Sequence, residues 1–170
     1  TIPTPVSVRD SLAPLIERYA KKQGVTETQY PGLSLGRFNK PVARYPLVYS
    51  PSVCIVAQGR KLVYSVNERV VYDPLNYLVV ALPLPLEAEV VIASAAEPFL
   101  ALALEIDMTI IGKLLLEMTE EEQREEDNHI GKSICTSCMN EDLLNAVKRL
   151  LLTLETPVTR RVLGPGAVWE

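Results

Sequence analysis

Histidine is almost missing from this chain of 170 residues: it occurs once, at His129, and nowhere in the long apolar stretch Ser50 to Asp107. Imidazole is the side chain that most often binds metals and moves protons near neutral pH. A metal held by several histidines is therefore excluded within one chain. Cysteine is also scarce. Cys54, Cys135 and Cys138 make an odd total of three, too few for a disulfide framework and suited to a reducing compartment. Cys135-Thr136-Ser137-Cys138 has the spacing of zinc and thiol-redox sites. Only His129 and Cys54 remain to complete a zinc site, and the βαβ setting of a redox motif is lacking. The plainer reading is small residues in a loop or short strand before the last helix. No GxSxG, P-loop or GxGxxG is present, and no Ser/His/Asp grouping supports nucleophilic catalysis. Catalytic residues, metal and cofactor are accordingly all expected to be none.

Clustered positive charge is missing too. The formal net charge is -4, and the basic residues are scattered apart from the pairs Lys21-Lys22, Arg60-Lys61 and Arg160-Arg161. Binding DNA requires concentrated Lys and Arg to displace phosphate counterions, so this stretch is not expected to touch nucleic acid directly. Long hydrophobic runs are lacking as well. The longest candidate, Tyr77 to Leu86, carries two prolines and is far shorter than the roughly 20 residues of a membrane span. The opening TIPTPVSVRD has no basic-then-apolar export pattern, which makes the cytoplasm the expected location. What the chain has in quantity is apolar residues, at 48%, enough for one ordered domain over residues 1–170.

The apolar residues fall into patterns. Ser7 to Gln23 reads as a helix, with Val8, Leu12, Leu15, Ile16 and Tyr19 on one face and Ser7 as its cap. Pro14 interrupts that pattern and Gly24 closes it. Leu33 to Phe38 is a weak strand. Val53 to Ala57 is continuously apolar, which predicts burial on both faces. Lys61 to Val66 and Arg69 to Tyr72 flank Asn67-Glu68, read as a two-residue hairpin tip. Asp73-Pro74-Leu75-Asn76 is a turn, and Tyr77 to Ala81, Leu86 to Ile92 and Phe99 to Ile106 complete the strands. Met108 to Met118 returns to helical spacing, and Thr119 with Glu122 forms a capping box. The acid run Glu120 to Asp127 reads as a solvated face. Asn140 to Glu155 is the strongest helix, ended by Pro157. Its stripe Leu143, Val147, Leu150, Leu151 and Leu154 serves either as core or as a seam between two chains.

The wording of Ser50 to Asp107 resembles one family. Its order is Ser-Pro, an apolar run, Gln58-Gly59-Arg60-Lys61, strand, turn, strand, Asp-Pro, Tyr77-Leu78-Val79, Leu-Pro. This is similar to the N-terminal effector domain of AraC-family transcription regulators. The likeness extends from the first helix through Pro31-Gly32-Leu33 and Asp107-Met108 to Thr156-Pro157 and Val162-Leu163-Gly164-Pro165. Two positions depart from the pattern: Asn67-Glu68 replaces a glycine-rich tip, and Leu75-Asn76 stands where glycine is common. The resemblance implies a mainly β fold with flanking helices, a cupin-like jelly roll or β-barrel over about residues 33–106 followed by a helical region over about 108–168. It also implies a helix-turn-helix DNA-binding domain beyond Glu170. The expected role is a ligand-sensing and dimerisation domain, non-enzymatic, with an unknown small-molecule effector, a homodimeric partner, DNA contact only through the absent domain, and no membrane. A cupin-type enzyme, or an interaction module without ligand, is the alternative.

Candidate effector residues are Arg60, Tyr64, Tyr72 and Tyr77. Arg60, or its neighbour Lys61, offers a cation to an anionic effector at the barrel mouth. The tyrosines offer hydroxyls, although aromatic residues on half-buried strands usually pack. Gly59 also has a plain structural reading, a tight bend between strands. The seam candidates are Leu143, Val147, Leu150, Leu151 and Leu154, because family members commonly dimerise in this region.

Overall fold

The computed structural model describes residues 2–107, 109 and 133–155. The expected helices and capping box over 108–130, the acid run, His129, Pro157 and the segment 160–170 lie outside these residues. The first helix, α1 (Pro5–Tyr19), starts earlier and ends sooner than the Ser7 to Gln23 expectation. Thr4 is its cap: the Thr4 hydroxyl accepts from the Ser7 amide at 3.1 Å, and the Ser7 hydroxyl receives the Thr4 amide at 2.9 Å. Ser7 is thus the reciprocal half of a capping box, not the cap itself. Pro14 remains inside the helix, and Gly24 opens a strand with φ +93 instead of closing the helix.

Ten strands follow: β1 (Gly24–Glu27), β2 (Leu33–Phe38), β3 (Val42–Tyr49), β4 (Ser52–Gln58), β5 (Arg60–Tyr64), β6 (Arg69–Tyr72), β7 (Asn76–Val80), β8 (Leu84–Ile92), β9 (Phe99–Glu105) and β10 (Ile134–Cys138). The last described helix is α2 (Glu141–Leu152), capped by Asn140, whose side chain accepts from the Leu143 amide at 2.8 Å. The strands form a six-stranded sheet in the order β1-β2-β9-β4-β7-β10 and a four-stranded sheet in the order β3-β8-β5-β6. Every pairing is antiparallel. The fold is mainly β with flanking helices, two sheets facing each other in the jelly-roll manner.

Two cores result, one on each face of the six-stranded sheet. The inner core lies between the sheets and gathers Cys54, Val56, Val63, Tyr72, Leu78, Leu86 and Phe99 among others. The outer core packs Leu12 and Ile16 of α1 and Val147 and Leu151 of α2 onto Leu35, Ile55 and Leu102. Successive residues of β4 alternate between these cores, which is why Val53 to Ala57 is apolar without a break. Arg18 of α1 also pairs with Glu155 just past α2.

The turns follow local chemistry. Asp73 and Asn76 exchange backbone bonds of 3.1 Å around Pro74-Leu75, and Asp73 Oδ1 accepts from the Leu75 and Asn76 amides. Asn67-Glu68 does not form a two-residue tip. Tyr64 pairs with Arg69, so Ser65 to Glu68 make a longer loop closed by the Ser65 amide bonding the Glu68 carbonyl at 2.9 Å. Positive φ occurs only at glycines among the described residues, so the primed turn that a two-residue tip favours is not used. Gly59 is the bend between β4 and β5. Its φ is +91, and a Cβ there would sit 2.5 Å from the Ile92 carbonyl oxygen, so the site admits only glycine.

Candidate functional site

The inner face of the four-stranded sheet carries an unusual set of polar groups. Along β5 the side chains alternate, and Lys61 and Val63 share a face. Lys61 pairs across strands with Tyr72 of β6 and Val90 of β8, and Tyr72, Val63 and Val90 all belong to the inner core. Lys61 therefore enters the interior. Its Nζ lies 5.7 Å from the Tyr49 ring centre and 5.9 Å from that of Tyr45, both on β3. Those distances reach the outer range of cation–π attraction. The Tyr49 and Tyr72 hydroxyls meet at 3.1 Å. Across the interior stands Cys54 of β4, whose Sγ lies 3.7 Å from the Ser52 hydroxyl.

Burial dominates the proton affinities here. Desolvation lowers the Lys61 ammonium from 10.5 to about 8, opposed in part by the Cys54 thiol. The same desolvation pushes the Tyr49 and Tyr72 phenols well up and raises the Cys54 thiol. The phenols thus stay protonated near neutrality. Among the described residues no carboxylate forms an ion pair with Lys61.

The candidates Arg60, Tyr64, Tyr72 and Tyr77 are not brought into one pocket. A bulge sets Arg60 apart from Lys61, and its guanidinium is half exposed and pairs with Asp73 at 3.7 Å. Tyr64 lies on the opposite face of β5 from Val63. Its hydroxyl donates to Glu89 at 2.9 Å, and the Arg44 guanidinium sits 3.8 Å over its ring. The bond to Glu89 is the main reason its phenol is raised. Tyr77 packs on the helix side of the large sheet. Only Tyr72 enters the interior. Tyr45 and Tyr49 were not singled out by sequence reasoning, Cys54 was named only as a remaining zinc ligand, and Lys61 only beside Arg60.

An open-mouthed cavity of about 380 Å³ adjoins this interior, lined by the Ser65 to Glu68 loop, Leu84, Leu86 and Ile134. Leu86 and Ile134 also belong to the inner core that holds Tyr49 and Tyr72, and Leu84 pairs directly with Tyr49. Cys135 and Cys138 lie on β10, three residues apart in a strand, so their side chains leave opposite faces and do not converge. Among the described residues no group of three or more potential ligands is placed to hold a metal.

In the leucine stripe, Val147, Leu151 and Leu154 are buried within this chain's own outer core. Leu143 and Leu150 are half-buried at its margin.

The site is therefore a mainly apolar interior between two antiparallel sheets, with Tyr49, Tyr72 and Lys61 as its polar groups. Residues 29–170 match the family described as the AraC-type transcriptional regulator N-terminus, and the chain belongs to that family. No curated relative matches it. A crystal structure of an apo ToxT variant from Vibrio cholerae is similar over 81% of this chain and 53% of its own, at 7% identity and a TM-score of 0.48. The present chain thus spans about half the length of that protein.

Proposed function

We propose that residues 1–170 form one regulatory unit, the ligand-sensing and dimerisation part of a cytoplasmic DNA-binding transcription regulator, without enzymatic activity. The observation that carries this reading is the family match over residues 29–170. DNA is contacted through a further helix-turn-helix domain and not through this part, whose net charge is -4. No helix among the described residues is long and apolar enough to cross a membrane. The interior supports sensing through its hydrogen-bond donors: the Tyr49 and Tyr72 hydroxyls and the Lys61 ammonium are placed to meet the acceptors of a bound molecule.

The test is a fusion of residues 1–170 to a monomeric DNA-binding module that occupies paired half-sites only when two copies are joined. Repression of a reporter carrying paired half-sites, but not of one carrying a single half-site, is the expected result. A change in that repression on adding small-molecule extracts tests sensing. Equal, weak occupancy of both reporters would refute dimerisation, and repression indifferent to every extract would refute sensing.

A further inference from the structure

Helix ends commonly fray, yet the end of α2 is held. Thr153 and Leu154, which follow it, are only 4% and 7% exposed. The Thr153 hydroxyl donates to the Leu150 carbonyl at 2.6 Å, and the Leu154 and Glu155 amides donate to the Leu151 and Leu152 carbonyls at 3.1 Å. These short closures satisfy carbonyls that a helix C-terminus otherwise leaves without an intrahelical partner. Leu154 packs into the outer core, and with Tyr19 of α1 it lines a hollow of about 190 Å³ beside Thr26 to Gln29. The Glu155 side chain, 19% exposed, pairs with the Arg18 guanidinium in the last turn of α1. The end of α1 is itself fixed to the large sheet, because Arg37 of β2 donates to the Ala20 carbonyl at 3.2 Å. A line of contacts thus runs from β2 through the end of α1 to the point where the chain continues into residues 156–170.

We propose that Arg18 and Glu155 are positioning residues, which fix the direction in which the chain leaves the regulatory unit and so the relation of two DNA-binding domains in a dimer. The inference rests on the dimerisation reading and adds the device that orients its output. The pair supplies direction more than cohesion. Val8, Leu12, Val147 and Leu151 already join α1 to α2 in one apolar core, and an ion pair with one partner mostly in water adds little to global stability. Apolar contact, however, has no preferred direction. A guanidinium presents its donors in a rigid fork, and a charge-assisted bond to a carboxylate has a defined geometry. Here it holds the last described residue before 156–170.

The test uses the fusion of residues 1–170 to a monomeric DNA-binding module, with operators whose half-sites are moved apart by half and whole helical turns. The parent fusion binds the whole-turn series more tightly than the half-turn series by about tenfold or more. Arg18→Glu and Glu155→Arg each reduce that ratio several-fold, and the two together restore it. Melting curves of the 170-residue chain stay close to the parent in all three. Glu155→Gln, which removes the charge and keeps the shape, reduces the ratio as well and tests the pair should a reversal fail to fold. An unchanged ratio in the folded variants overturns the positioning role, and so does a loss that the double reversal does not recover. A parent fusion that requires paired half-sites but ignores their spacing overturns it too and leaves dimerisation intact. A parent fusion that treats single and paired half-sites alike refutes dimerisation itself and takes this inference with it.

Discussion

Lys61 ties the stability of the fold to pH at a single residue. Its ammonium is disfavoured by burial in the fold, with the proton affinity lowered from 10.5 to about 8. Below about pH 8 the amine is charged in folded and unfolded chains alike, and the fold bears the whole desolvation cost. Between pH 8 and 10.5 the folded amine is neutral while the unfolded one still carries its proton, so folding releases a proton and the cost fades as pH rises. Above 10.5 it is gone. Lys61→Met therefore stabilises the ligand-free protein at pH 7 by on the order of 2 kcal/mol. That gain holds down to acid pH and shrinks toward zero between pH 8 and 10.5. Urea melts of both proteins across this range check it, and a gain that grows with pH would contradict the burial of Lys61. Cys54, Tyr45, Tyr49 and Tyr72, the titrating groups around the amine, are raised by burial and are common to both proteins. The sequence concealed this residue for a physical reason. Both parities of Lys61-Leu62-Val63-Tyr64 carry apolar side chains, so alternation does not reveal which face turns inward. Register does: Lys61 lies opposite Tyr72 and Val90.

At the scale of elements, the strands bonded on both sides were legible, and so was the edge strand β6, whereas the other edges were not. β4, β7, β8 and β9 are bonded on both sides and read as apolar or alternating runs. β1, β3 and β10 each end a sheet, and their sequences are weaker signals. β3 contains Pro46, tolerated because an edge strand has one side without a ladder, and a register shift between Val42 and Tyr45. β10 is Ile-Cys-Thr-Ser-Cys, too polar to separate from a loop. The stripe on α2 was legible as apolar, but periodicity alone does not distinguish the chain's own core from a partner. The structure buries Val147, Leu151 and Leu154 at home, leaving Leu143 and Leu150 at the margin for the proposed seam. Leu154→Glu is expected to cost about 3 kcal/mol or more, since it removes a packed side chain and buries a charge. Leu150→Glu costs less than about 1.5 kcal/mol and, if the seam runs here, yields a folded monomer. Melting curves with sedimentation velocity separate the two effects. A Leu150→Glu protein that stays dimeric moves the seam away from this helix, and a Leu154→Glu protein as stable as the parent would contradict its place in the core.

For the whole molecule, charge and architecture point the same way about DNA. Non-specific affinity for a duplex grows with the number of phosphates that Lys and Arg neutralise, and it falls steeply with salt. Here 17 basic side chains face 21 acidic ones, and several are already engaged: Arg9 with Asp10 and Glu97, Arg18 with Glu155, Arg44 with Glu87, Arg60 with Asp73. The two described helices lack free faces rich in base-reading side chains. α1 buries Val8, Leu12, Leu15 and Ile16, and α2 opens with Glu141 and Asp142, an acidic N-terminal turn where a recognition helix would meet the groove. The 170-residue chain alone is therefore expected to show no sequence-dependent gel shift at 150 mM salt, and only weak, sequence-blind retardation at 10 mM. Under the proposed function the chain contributes placement instead of contact once joined to a basic helix-turn-helix domain: a dimer would set the distance between two recognition helices, so binding should depend on half-site spacing in steps of about one helical turn, roughly 10 base pairs. Operators with the half-sites moved by half a turn provide the measurement. Loss of binding on moving the sites by half a turn and recovery at a full turn is the outcome expected of a rigidly joined dimer, whereas indifference to spacing would show that the two halves are not held in fixed relation.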